Sequence, residues 1–333
     1  MRVLSRLLSV LLLLIAPMAS VAADETVPAF QAGYRLLAVG PSQMPLSVWY
    51  PTMEPEAALQ VGPYRLSVAR NASLAPGQHR LILLSHGHLG SNLGHWDLAA
   101  FLARHGLIVA APRHFGDSFD QPPKPGGRQL VTRPAQISAA LDSLLSDPQL
   151  APSIDAERIG MAGFSAGGYT SLVIAGATPH VEHLMSHCRE HPEDKEFGCD
   201  HLSDWQAGAG ELANAVFVHD PRVRAVVAMA PVGVLFDKAD LAGISIPLRI
   251  YRAADDHILV NAWNSDVVLR DLPQPVEAVT VPGDHYVFLA PCSEAFASDA
   301  PELCRDPPGV DRIAIHQQIN GEILDFFDRT LGR

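Results

Sequence analysis

The pentapeptide Gly163-Phe164-Ser165-Ala166-Gly167 is the part of this sequence best suited to chemistry. Its context gives the Gly-x-Ser-x-Gly spacing meaning. Arg158 to Gly163 reads as a short, almost wholly apolar strand, and the small-residue run after the serine reads as a helix to about Ala177. A strand, a sharp turn and a helix lift the Ser165 hydroxyl clear of a sheet. They also aim the free N–H groups of the helix start at charge developing beside that hydroxyl. The two glycines allow the strained turn and close backbone approach that this requires. A plain Gly-rich strand-to-helix turn can carry the same five residues, but the readable flanks favour a nucleophile.

A serine hydroxyl needs a base to take its proton, and the base needs a carboxylate behind it. For a strand-turn-helix serine the expected chain order is serine, acid, histidine. The stretch from Val279 to Val281 reads as a strand, and Pro282-Gly283-Asp284-His285 follows as a turn, so His285 is the expected base. After an earlier strand, Pro247–Tyr251, the chain reads Ala253-Ala254-Asp255-Asp256-His257-Ile258-Leu259. Either aspartate could hold the imidazole. The apolar anchors Ile258 and Leu259 favour Asp256 and leave Asp255 for solvent or a turn cap, and His257 lies too close to its own acid to be the base. A tetrahedral intermediate also needs two N–H donors. Ala166, directly after the nucleophile, supplies one, and the loop after strand Arg80–Leu84 supplies the other, most readily at His88.

Other histidines are read more plainly. His86 and His88 have no carboxylate next to them in sequence, so a turn is expected there rather than a metal pair. His183, His187 and His191 recur every four residues and could share a helical face, but a polar, partly exposed lid helix is the expected reading. No metal site and no cofactor are expected.

Composition narrows the classes of function. The 333 residues are 48% hydrophobic and 18% charged, enough for one large α/β core or two smaller ones. The formal net charge is −12 with no basic block, which argues against nucleic acid as a partner. Residues 1–23 have the pattern of a secretory signal: Arg2 and Arg6, an apolar run from Leu7 to Ile15, then small residues ending at Ala23. That run is too short to span a bilayer comfortably, so no membrane span is expected after cleavage and a secreted or periplasmic location is. The four cysteines form two local pairs, Cys188 with Cys199 and Cys292 with Cys304. In an oxidising compartment this predicts two short disulfide loops.

Along the chain, strands are expected at Tyr34–Val39, Leu46–Tyr50, Tyr64–Ala69, Arg80–Leu84, Leu107–Ala111, Val223–Met229, Pro247–Tyr251 and Val276–Val281. Helices are expected around His95–His105, up to Ser146 with Pro134 in the first turn, and from Val310 to Thr330. Alternating apolar strands and helices predict an α/β fold with a mostly parallel sheet covered on both faces. Residues 115–134 are broken by Pro and Gly and read as loop. Residues 179–222 are polar, hold four of the fifteen histidines between 180 and 191, and read as an excursion over the sheet. One domain spans about 28–333.

The stretches Leu46-Ser47-Val48-Trp49-Tyr50-Pro51, Leu84-Ser85-His86-Gly87-His88, Phe101 to Pro112 and Gly163 to Gly168 resemble the α/β-hydrolase superfamily. More narrowly, they resemble the dienelactone-hydrolase-like group that includes the platelet-activating-factor acetylhydrolases. The resemblance implies an α/β-hydrolase fold with Ser165 as nucleophile, His285 as base, and the N–H groups of His88 and Ala166 as oxyanion hole. Two departures are visible. Dienelactone hydrolases use a cysteine where this chain has Ser165. The acetylhydrolases carry their acid after the strand equivalent to Val223–Met229, where this chain has Ala230-Pro231, so the acid must come from the next strand. The expected activity is a serine esterase acting on a small-molecule ester. A lactonase, amidase or peptidase with the same triad is the alternative, and a non-enzymatic binding protein on a hydrolase scaffold is a third. Nothing in the sequence fixes the oligomeric state.

Overall fold

The structure, a computed structural model, describes residues 28–192, 199 and 202–333. The signal reading of residues 1–23 lies outside the described residues. A ten-stranded sheet runs through the molecule in the order β10-β9-β8-β7-β5-β6-β2-β1-β4-β3. Its strands are β1 (Gln31–Val39), β2 (Met44–Thr52), β3 (Ala57–Val61), β4 (Tyr64–Arg70), β5 (His79–Ser85), β6 (Ile108–Pro112), β7 (Ile154–Phe164), β8 (Val223–Met229), β9 (Leu248–Ala253) and β10 (Glu277–Val281). From β6 to β10 every neighbouring pair is parallel. β2 joins β6 antiparallel and pairs with β1 the same way.

The parallel strands are apolar because both their faces are buried. The two-residue period of a strand then divides each one between two cores. Leu81 and Leu83 of β5 face one core, with Met161 of β7 and Val226 of β8. Ile82 and Leu84 face the other, with Ala162 and Val227. The first core is closed by α2 (Gln129–Ser146) and α3 (Ala166–Ile174), the second by α1 (Trp96–Arg104) and α9 (Arg312–Leu331). α9 comes so close to β7 that a Cβ at Gly160 would lie 2.7 Å from the Phe327 ring. The α/β architecture with helices on both faces is the one the alternation predicts.

Local differences from the sequence reading have physical causes. β3 was not foreseen: it is an edge strand, mostly exposed, and lacks an alternating apolar pattern. α3 ends at Ile174 rather than Ala177, because Gly176 adopts φ +123° and packs against Gly243. Pro134 sits in the second turn of α2, not the first. It has no N–H for the carbonyl of Leu130, and the Tyr169 hydroxyl donates to that carbonyl instead at 3.0 Å. The excursion contains α4 (Val181–Glu190) and α5 (Leu202–Leu212). Cys188 is joined to Cys199 and Cys292 to Cys304. α6 (Ser265–Asp271) follows the turn after β9, and the short helices α7 (Glu294–Asp299) and α8 (Pro301–Cys304) flank the second disulfide. Among the described residues, no helix is long and apolar enough to cross a membrane.

Candidate active site

The loops that follow β5, β7, β9 and β10 all leave the same end of the parallel sheet. In open α/β sheets this carboxyl end is where ligands bind. The sharpest of these turns is at Ser165, between β7 and α3. Ser165 adopts φ 56°, ψ −117°, which a side-chain-bearing residue holds only under strain. Its neighbours fix that conformation. The Ser165 N–H donates to the carbonyl of Met229 on β8 at 2.8 Å. A Cβ at Gly163 would lie 2.1 Å from the Gly167 carbonyl, and one at Gly167 would lie 1.9 Å from the Ser85 carbonyl. No other residue fits at either position, so both glycines of the motif are required by close packing.

The turn presents the Ser165 hydroxyl to His285, whose Nε2 lies 3.0 Å from Oγ. His285 opens the turn after β10, where the Asp284 carboxylate accepts its backbone N–H at 2.7 Å. On the far side of the ring, Nδ1 lies 2.8 Å from Asp256 Oδ2. A carboxylate can only accept, so Nδ1 carries the proton and Nε2 is left to accept from the serine hydroxyl. The other oxygen of Asp256 accepts the N–H groups of Ile258 at 3.1 Å and Leu259 at 2.7 Å, which locks the carboxylate on the turn after β9. All three side chains are buried. The Phe164 ring packs on His285 at 4.7 Å between centroids, and His95 packs on Phe164 at 5.5 Å. Asp255 is exposed, and its backbone N–H donates to the Gly283 carbonyl at 3.0 Å. The structure therefore brings together Ser165, His285 and Asp256 and leaves out Asp255 and His257. Such a chain can take a proton from a serine as it attacks a carbonyl and return it to a leaving group.

The segment that holds Gly87 passes directly beside Ser165. A Cβ at Gly87 would lie 3.1 Å from the Phe164 ring and 3.4 Å from Ser165 Cβ. Ala166 is the first residue of α3, so its N–H has no partner within the helix. The His88 side chain turns toward a carboxylate. Its Nδ1 meets the carboxylate of Asp117 at 2.7 Å, a neighbour 29 positions on that the local sequence does not show.

Asp117 belongs to a buried network that sequence reasoning missed. Its Oδ1 also accepts the N–H of Leu89, itself at φ 52°, while Oδ2 pairs with Arg133 Nη1 at 2.7 Å. Arg133 donates further to the His86 carbonyl, to Thr170 Oγ1 and to Ser85 Oγ. Burial opposes the charge of Asp117, but the bonds from His88, Arg133 and Leu89 outweigh it and hold the carboxyl well below its usual range. Burial and the Arg133 charge push His86 down to about 3, so it is neutral. Its Nδ1 donates to the Gly87 carbonyl and Nε2 accepts the N–H of His114. The available signal was Arg133 itself, a cation in line with Leu130, Ile137, Leu141 and Leu144 on the buried stripe of α2.

No family model matches the chain, and no curated protein sequence matches it. Among solved structures it is similar to a ferulic acid esterase from Streptomyces cinnamoneus, at 19% identity over 94% of this chain and 93% of that one, with a TM-score of 0.58. At that identity the likeness is one of fold. This chain has the mixed α/β architecture, with its mostly parallel ten-stranded sheet, over nearly the full length of both proteins.

Proposed function

We propose that this protein is an exported serine hydrolase that cleaves carboxylic esters through an acyl-enzyme. The observation that carries this reading is the unbroken hydrogen-bonded series from Ser165 Oγ through His285 to Asp256, at the carboxyl end of the parallel strands. Ser165 Oγ attacks the ester carbonyl while His285 Nε2 takes its proton. Asp256 stabilises the resulting imidazolium and fixes its orientation. The N–H groups of Ala166 and His88 receive the developing oxyanion. The tetrahedral adduct collapses, and His285 returns the proton to the departing alcohol. Water, deprotonated by the same imidazole, then attacks the acyl-enzyme carbonyl and releases the carboxylic acid. No cofactor enters these steps. The signal-like residues 1–23 and the two short disulfides suit an oxidising, non-cytoplasmic compartment. The fold it has in common with a ferulic acid esterase makes aryl esters a rational part of any substrate panel.

A fluorophosphonate probe tests the mechanism. The folded protein should be labelled at Ser165, and Ser165→Ala should be neither labelled nor active on nitrophenyl esters. Absence of labelling in folded wild type, or equal labelling of the variant, would overturn the reading. A panel of nitrophenyl esters of increasing acyl length, methyl ferulate, a lactone and an anilide then identifies the bond. Faster turnover of the lactone or the anilide than of every ester would make the protein a lactonase or an amidase.

A further inference from the structure

A second cluster of chemistry-bearing side chains lies at the root of the excursion. His180, the N-cap of α4, and His183, in its first turn, face the aspartates of the loop after β8. His180 Nδ1 lies 2.7 Å from Asp240 Oδ1, and His183 Nε2 lies 3.0 Å from Asp240 Oδ2 and 3.8 Å from Asp237 Oδ2. One ligand atom from each of His180, His183 and Asp240 falls within 4.8 Å of the others. Around a tetrahedral zinc ion with bonds of about 2.1 Å, donor atoms stand about 3.4 Å apart, so the two imidazoles would move by less than about an ångström from their present distances to Asp240.

Two further observations point to a cation. First, Asp240 is buried, and among the described residues its ion-pair partners are these two imidazoles, with no lysine or arginine. A buried carboxylate has to be paired, and a divalent ion would supply that pairing directly. Second, the backbone fixes the donors independently of their side chains. The Thr178 N–H donates to the Asp240 carbonyl at 2.9 Å, and the His180 N–H donates to the Leu235 carbonyl at 2.9 Å. The two segments are thus held in register without the side chains, as a ready-made metal site requires.

We infer that His180, His183 and Asp240 bind one zinc-type divalent cation that fastens the start of α4 to the loop after β8. Two imidazoles and a carboxylate suit zinc, and because they come from two separate segments the ion ties those segments together, which makes its role structural. The ion would anchor the excursion at its root, while the Cys188–Cys199 bridge closes it further along.

Equilibrium dialysis of the tag-free, chelator-treated protein against zinc, with metal measured by elemental analysis, tests this. Wild type should take up close to one equivalent. With cobalt(II) it should show the intense visible bands of tetrahedral coordination. His180→Ala, a half-exposed position where folding is safe, and His183→Ala should each weaken zinc binding by roughly tenfold or more, since even groups that merely support a ligand cost about that much. His187→Ala/His191→Ala should leave uptake unchanged. No uptake by wild type at tens of micromolar zinc would overturn the proposal. So would unchanged uptake in His180→Ala/His183→Ala, or loss of uptake only in His187→Ala/His191→Ala.

Discussion

Asp256→Asn separates the two neighbouring aspartates and tests the chemistry of the ring that lies between Asp256 and Ser165. In the native site one oxygen of Asp256 accepts the N–H groups of Ile258 and Leu259, and the other faces His285 Nδ1 at 2.8 Å. An asparagine can keep the two backbone bonds only with its oxygen on the Ile258 side. Its NH2 group is then left facing Nδ1. Donor against donor is unfavourable, so the imidazole takes its other tautomer and Nε2 carries the proton. That proton points at Ser165 Oγ, 3.0 Å away, and the ring can no longer accept. The same substitution in a serine protease cost about 10⁴ in turnover, equivalent to about 5.4 kcal/mol of transition-state stabilisation. Because the backbone bonds survive, folding should lose only one charge-assisted hydrogen bond, about 1.5–3 kcal/mol. The assay is kcat on a nitrophenyl ester beside urea unfolding of the same samples. Asp255→Asn, on an exposed side chain, is the control and should stay within about twofold of wild type. An active Asp256→Asn with a dead Asp255→Asn would refute the assignment. If both stay active, no carboxylate of this turn supports the histidine.

Three further outcomes follow from the buried groups. Arg133→Met leaves the Asp117 carboxylate buried without its cation, so urea unfolding should show a loss of about 3–5 kcal/mol; Arg133→Met/Asp117→Leu should recover much of that stability but not turnover, because Leu89 and His88 lose their acceptor. Burial holds His86 near 3 and His95 near 4, against about 6.5 when unfolded, so their contribution is complete above about pH 6.5 and lost as pH falls. At pH 5 each should cost about 2 kcal/mol, with His114 acting in the same sense. His316 works the other way: burial disfavours its charge, but Asp97 outweighs this and raises its pKa, so its contribution is complete below about pH 6.5 and fades as pH rises through the folded value. An unfolding midpoint unchanged between pH 7 and pH 5 would contradict the balance. Reducing either disulfide, with sequence separations of 11 and 12, should cost roughly 2–3 kcal/mol in unfolding experiments.

What the sequence made legible is what a parallel sheet dictates locally. β8 is readable to the residue because every position but Arg224 is buried and apolar. The serine turn was readable because three adjacent elements agree there. Asp256 and His285 were readable because their loops follow strands that the sheet places side by side. β3 was not, because an exposed edge strand needs no apolar alternation. The histidines at 183, 187 and 191 do carry helical spacing, yet that spacing misleads. His183 turns toward His180 and Asp240, while His187 and His191 pack on Trp263. Helical periodicity says which residues share a face. It says nothing about a loop some sixty residues later that meets that face.

The same limit explains why the part of the site made of backbone was the hardest to read. A triad is chosen by side-chain type, and type is visible in a sequence. An N–H donor exists at every residue but proline, so its aim must come from whatever holds the loop. Here the holder is a charge pair drawn from a Pro- and Gly-rich loop and from the buried stripe of a helix. Asp117 takes the N–H of Leu89 and the ring of His88, and Arg133 takes the carbonyl of His86. The pair thus grips the loop on both sides of Gly87, the residue that lies against Ser165. An apolar pair would pack that space at lower cost in desolvation. It could not accept the N–H of a residue at φ 52° or donate to a carbonyl, so the loop would be free to turn its N–H groups away. The buried ion pair is therefore best understood as a cost in stability that fixes the direction of the backbone beside Ser165.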